Sequence, residues 1–223
     1  MTHTDMKAPI PLDPPIVALA DPEDGLLKTV DLNSPIPVQV MVWPAAEPGY
    51  YFQLMLNGDP VGERKVIGES DNAYDLLTVF LSEHLLVENG AYQLRYQTTS
   101  PNTDVSDLSP ATVLKVDRSR PGAALLAPMI FPEASFGDVL TGLVPGYAGM
   151  EQGDVIQTLC NGAAGPTHTV QPEELTLRPI EIDFKREVIR GLAMENLSIE
   201  YQVTDRAGNP SIMSLPVLLS IKL

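Results

Sequence analysis

Residues 47–58 read E-P-G-Y-Y-F-Q-L-M-L-N-G, and residues 151–162 read E-Q-G-D-V-I-Q-T-L-C-N-G. Glu47, Gly49, Gln53, Asn57 and Gly58 recur as Glu151, Gly153, Gln157, Asn161 and Gly162, each 104 positions later. Each copy is a turn, an apolar strand and an Asn-Gly turn, and Asn-Gly between apolar runs is a strong hairpin signal. A repeat at this period writes one β-rich domain twice. The chain of 223 residues has room for two domains of about 100–110 residues, a common domain size.

Working outward, the flanks keep the same order. In 36–43, Val38, Val40 and Val42 alternate with Gln39, Met41 and Trp43, the period of a strand with one face in a core. Tyr92, Leu94 and Tyr96 alternate with Gln93, Arg95 and Gln97. Their counterparts Leu197, Ile199 and Tyr201 lie 105 positions on, as Ser214 does from Ser109. Further strands are expected at 16–19, 62–67, 72–81 and 111–116, and in the second half at 125–130, 139–144, 154–160, 167–170 and 215–221. Residues 162–166 are expected to form a longer turn and 82–90 a single helical turn. Twenty-one prolines and sixteen glycines break the chain into short segments. The expectation is all-β: two tandem immunoglobulin-like β-sandwiches of about seven strands each. Residues 1–15 read as a flexible Pro-rich leader, 16–118 as the first sandwich and 119–223 as the second. The paired cysteines and core tryptophan of antibody domains are missing, so a fibronectin-type sandwich is the architectural rival.

Two short motifs add a resemblance. V-T-D-R-A-G-N-P-S at 203–211 resembles the penultimate-strand turn of bacterial immunoglobulin-like repeats, and V-D-R-S-R-P at 116–121 resembles the junction between such repeats. The first copy departs from the pattern, because 99–109 has no Ala-Gly-Asn turn. The resemblance implies stalk, adhesion or binding modules of surface and secreted proteins, and no enzymatic activity.

Composition narrows the partners. The net charge is −15, with −10 in residues 1–118 and −5 in 119–223, so both halves repel a phosphate backbone or an anionic bilayer. No nucleic-acid partner and no membrane insertion are expected. The N-terminus has no secretory signal pattern and no apolar run is long enough to span a bilayer. A cytoplasmic location, or export by a route other than general secretion within a surface or secreted assembly, follows as the expectation. Cys160 is the single cysteine, excludes an intrachain disulfide, and reads as a small buried hydrophobe.

No nucleophile elbow, zinc-protease motif or P-loop is present, and His3, His84 and His168 lie in separate contexts. No catalytic residue is nominated. Calcium is the one cofactor considered, since it takes oxygen ligands on turns. In adhesin repeats of the resembled kind, acidic junction residues bind calcium. The candidates here are Asp117 at the junction, Asp205 and Asn209 in the last hairpin turn, and Glu23 and Asp24 in the first turn. Trp43, Tyr50 and Tyr51 are candidates for an aromatic contact with a glycan or protein if exposed. The expected function is a non-catalytic structural or protein-binding module, with end loops 99–109 and 204–211 as contacts. A carbohydrate-binding module, and an assembly factor or chaperone using an open edge strand, are the alternatives.

Overall fold

The computed structural model describes residues 12–101, 103, 105–132, 138–187 and 196–220. The chain divides into two compact units, Met1–Asp117 and Arg118–Leu223.

In the first unit, β1 (Ile36–Met41) pairs antiparallel with β4 (Leu76–Leu81), and Ile16 bridges Gln39 on the other side of β1. The facing sheet runs β3 (Asp59–Val66), β2 (Tyr51–Leu56), β5 (Gly90–Thr99), and β5 is lined further by β6 (Ser106–Leu108) and β7 (Thr112–Val116). The alternation predicted for β1 puts Ile36, Val38 and Val40 in the core. They meet Phe52, Leu54, Leu94 and Tyr96 of the facing sheet. Phe52 and Tyr96 pack edge to face, with ring centroids 5.8 Å apart. Burying each such side chain contributes about 1.5–3 kcal/mol.

The second unit repeats the plan. β8 (Val139–Val144) pairs with β11 (Ile180–Lys185), and Ile130 bridges Leu143. The facing sheet runs β10 (Ala163–Thr169), β9 (Val155–Cys160), β12 (Asn196–Thr204), β13 (Val217–Ser220). Ile180, Ile182 and Phe184 face Ile156, Cys160, Ile199, Tyr201 and Val203 across its core. Each unit is an all-β sandwich with no cysteine bridge between sheets. In each, the strand after the repeated one (β3, β10) stays beside it instead of crossing to the other sheet. That is the fibronectin-type variant of the immunoglobulin-like plan, distinct from the antibody constant domain.

The recurring polar residues hold this plan in place. Asn57 and Asn161 carry positive φ (52° and 50°) ahead of Gly58 and Gly162, also positive, which closes two-residue hairpins with the twist their strands need. Their side chains reach sideways as well: Asn57 Oδ1 accepts the Gln93 N–H at 2.8 Å, and Asn161 Oδ1 accepts the Ser198 N–H at 2.8 Å. Gln53 and Gln157 serve a bulge. Pairing of β2 with β3 jumps from Phe52↔Lys65 to Leu54↔Val61, and that of β9 with β10 from Leu159↔Ala164 to Gln157↔Thr167. The carbonyls thrown out of the ladder are taken by the glutamine amides: Gln53 Nε2 donates to Gly62 O at 2.8 Å, and Gln157 Nε2 to Gly165 O at 2.9 Å. Ser109 and Ser214 accept the backbone N–H of Tyr96 and Tyr201 on their hydroxyls, at 3.0 and 2.9 Å.

Several local expectations are corrected. The strand expected at 16–19 is a single bridge at Ile16 followed by a turn. β3 is longer than expected, starting at Asp59 because the Asn-Gly turn is tight, and for the same reason β10 begins at Ala163 where a long turn was expected. The leader is not free of the fold in its described part: Leu12 and Pro15 are buried, and the Thr112 hydroxyl donates to the Pro15 carbonyl. Residues 1–11 lie outside the described residues. The polar loop 99–109 contains β6, and residues 102 and 104 are outside the description. At 83–85 the chain makes one 3-10 turn without a side-chain cap from Ser82.

Candidate functional site

Polar residues that recur are spent on the scaffold, so candidate sites are sought where the two units differ. The end of β12 is the first. Thr204 turns into a loop closed on itself: Asp205 Oδ1 accepts the Asn209 N–H and Asp205 Oδ2 the Asn209 amide, both at 2.8 Å, and the Gly208 N–H donates to Asp205 O at 3.0 Å. Asn209 is buried, as is Ser211, whose hydroxyl accepts the Val203 N–H at 2.9 Å. The loop is rigid by its own wiring. Ser100 stands at the position of Asp205 in the first unit and is buried, with its backbone N–H donating to Val105 O at 3.1 Å.

The other nominated calcium ligands are dispersed. Asp24 Oδ1 accepts the Leu26 N–H at 3.2 Å and Oδ2 pairs with the Lys115 ammonium at 3.1 Å. The Glu23 N–H donates to Asp21 Oδ1. This turn also needs its glycine: Gly25 has φ +80°, and a Cβ there would lie 2.1 Å from the Val113 carbonyl oxygen. Asp117 is the last residue of the first unit. Among the described residues no three His, Cys, Asp or Glu side chains gather as a metal ion needs.

The aromatic candidates separate. Trp43 is 4% exposed and belongs to the first core. The expectation that it shares a face with Gln39 and Met41 fails: β1 ends at Met41, a turn follows at 44–45, and the strand period no longer governs Trp43. Tyr50 is half-buried with its ring 6.5 Å from that of Trp43. Tyr51 is half-buried on the outer sheet face, and the Arg64 guanidinium lies over its ring at 4.8 Å.

Asp154 escaped the sequence reading. It is fully buried. Its Oδ2 accepts the Tyr147 hydroxyl at 2.8 Å and the Glu151 N–H at 3.1 Å, and its Oδ1 has no hydrogen-bond partner. Burial pushes the Asp154 carboxyl above the ordinary range; the two donors oppose this, and the nearby charges of Asp205 and Glu151 add to it. Burial likewise pushes the Tyr147 hydroxyl up, helped by its bond to Asp154. A signal existed in the repeat: Tyr147 and Asp154 stand where Trp43 and Tyr50 do. An aromatic pair in one unit has become a hydrogen-bonded pair in the other.

No family model matches the chain, and no curated protein matches its sequence. Solved structures similar to it include fibronectin(III)-like modules of Clostridium thermocellum CbhA, 14% identical, covering 93% of this chain and 94% of that one, with a TM-score of 0.48. A bacterial ice-binding adhesin involved in host cell surface retention is 16% identical over 90% of this chain and 61% of its own, at a TM-score of 0.47. The FN1–FN3 domains of chicken CNTN1 are 11% identical over 94% and 68%, at 0.43. The strand order of each unit, independent of these likenesses, makes it a sandwich of the fibronectin and immunoglobulin kind. Among the described residues no helix is long and apolar enough to cross a membrane.

Proposed function

We propose that the chain is a non-catalytic structural and protein-binding module, a tandem of rigid sandwiches that sets a spacing within a larger surface, secreted or toxin-associated assembly. The observation that carries this is the division of labour among its residues. What the units share (Gln53 and Gln157, Asn57 and Asn161, Ser109 and Ser214) is bonded to backbone that shapes the sandwich. What differs lies in loops and strand edges, the parts of a rigid scaffold that meet partners. The stiff 205–209 turn is one such contact. Burial of Trp43 removes the largest aromatic from a glycan-binding surface.

Pulling single molecules of the full chain tests the reading. Two unfolding steps are expected, each releasing about 350–420 Å, the extended length of one unit at ~3.3–3.6 Å per residue. One step releasing the whole chain, or gradual extension without a peak, contradicts a tandem of independent rigid modules.

A further inference from the structure

The sheet β1–β4 has an open side. Gln39 gives its backbone N–H and C=O to Ile16, both at 2.8 Å, so they point away from β4. Gln39 lies opposite Thr78. In an antiparallel ladder such a pair is the non-hydrogen-bonded kind, so the N–H and C=O of Thr78 point outward, and by alternation so do those of Leu76 and Phe80. The Phe80 carbonyl indeed faces β3: a Cβ on Gly62 would lie 3.8 Å from it. Among the described residues no strand pairs with this edge.

The same three residues carry the exposed side chains of β4, with Leu76 at 47% and Phe80 at 62% exposure. Tyr74, 67% exposed, stands just before them with φ 74°, a conformation costly for an aromatic residue. The strand L-L-T-V-F-L has no charge, proline, glycine or bulge, the sequence devices by which edge strands are normally guarded. The second unit shows those devices at matching positions. β11 reads I-E-I-D-F-K with its charged residues exposed, and Asp183 and Pro179 stand where Phe80 and Leu76 do.

Across from β4 lies the blunted edge of β3, with the Gly62 bulge. The groove between them has a volume of about 370 Å³. Its floor and walls include Leu54, Val61 and Val79, and its charged lining is Lys65 and Glu63, since the Arg64 guanidinium lies over Tyr51 on the outer face. Lys65 opposes the core residue Phe52 in the ladder, so it sits on the inner face at the sandwich margin.

We propose that β4 takes an extended segment of a partner protein as an added strand, apolar at alternate positions and carrying a carboxylate that meets Lys65. Outward backbone groups select a strand, Leu76 and Phe80 select apolar side chains on its outer face, and the Lys65 ammonium selects a carboxylate. A second copy of this chain fits less well, since two bodies of −15 repel and the β4 sequence brings no carboxylate to Lys65. The inference rests on reading the chain as a protein-binding module, which the pulling experiment tests separately.

The probe is a synthetic peptide of alternating valine and threonine with a glutamate at each end, titrated into the full ¹⁵N-labelled chain. Amide shifts are expected at Thr78, Phe80 and Lys65, with none at Glu181 or Asp183. Before peptide is added, the Thr78 and Phe80 amides should exchange with solvent faster than those of Leu77 and Val79. Phe80→Asp, which copies the second unit, should weaken binding at least about tenfold. Thr78→Pro should do the same, because it removes only an outward N–H and leaves the bonds to β1. Lysines in place of the peptide's glutamates should weaken binding about threefold or more at low salt. Absence of binding, shifts confined to the 205–209 loop, wild-type affinity in Phe80→Asp and in Thr78→Pro, or slow exchange at Thr78 and Phe80 each overturns the proposal. So does sedimentation showing a dimer that forms without peptide and is lost in Phe80→Asp, since the occupant is then a second copy.

Discussion

The two units share a scaffold and differ in how two of its positions are dressed. Behind the repeated turn the first unit packs Trp43 against Tyr50, while the second bonds Tyr147 to a buried carboxylate at Asp154. On the edge strand opposite β3 or β10 the first presents Leu76 and Phe80 of β4, while the second presents Pro179 and Asp183 at β11. The lesson is that backbone wiring and surface chemistry vary independently. The glutamine, asparagine and serine bonds repeat to within a few tenths of an ångström, whereas polarity at an inner and an outer position has been exchanged without altering the strand order.

The sharpest break in the comparison is expected at Tyr147. Tyr147→Phe leaves a buried carboxylate with one donor and should destabilise the second unit by about 2–3 kcal/mol, read from chemical denaturation. The pH dependence sharpens this. A carboxyl raised in the folded state holds its proton more tightly there than in the unfolded chain. Its contribution is therefore present at low pH and is lost as pH rises from about 4 through the raised value. Asp154→Asn should abolish that decline, which parallel denaturation curves from pH 4 to 7 would reveal; an unchanged slope means another group titrates.

The core tyrosines come next. The Tyr201 hydroxyl donates to Ala127 O at 2.7 Å, while the buried Tyr96 hydroxyl has no hydrogen-bond partner. Burial pushes both hydroxyls up to about 12, with the Asp13 charge adding to it at Tyr96. Tyr201→Phe should cost about 1–2 kcal/mol and Tyr96→Phe should be neutral or stabilising. Equal losses in thermal melts would mean that Tyr96 is bonded in solution. Smallest is Phe80→Asp: with its ring largely in water, the change should move stability by no more than about 0.5 kcal/mol.

Much of the plan was legible in the sequence. Asn57-Gly58 and Asn161-Gly162 marked the hairpins because positive φ at two successive positions is a chemical demand of the turn itself. Val38, Val40, Leu94 and Tyr96 marked core faces through period two. Legibility failed where the cause was not local. Trp43 left its expected face because β1 ends at Met41, and the alternation rule does not register where a strand stops. The bulges inside β3 and β10 show in sequence only as glycines, and the glutamines that satisfy them read merely as polar residues in mid-strand. Asp205 and Asn209 are calcium candidates by their place on a turn, and the hydrogen bond that joins their side chains shows only in the distances. Asp154 was invisible alone and became visible only beside Tyr50.

Matched variants of the recurring glutamines test the account most directly. Trp43, the single tryptophan, lies in the first core and reports that unit by fluorescence, while circular dichroism reports both. Gln53→Leu should lower the fluorescence transition by about 0.5–1 kcal/mol, and Gln157→Leu should lower only the remaining transition by about 1–1.5 kcal/mol. The second loss is larger because its bulge bond is the more buried. If neither variant is destabilised, or if Gln157→Leu moves the Trp43 transition as far as Gln53→Leu does, the claim of one scaffold pinned twice and independently is contradicted.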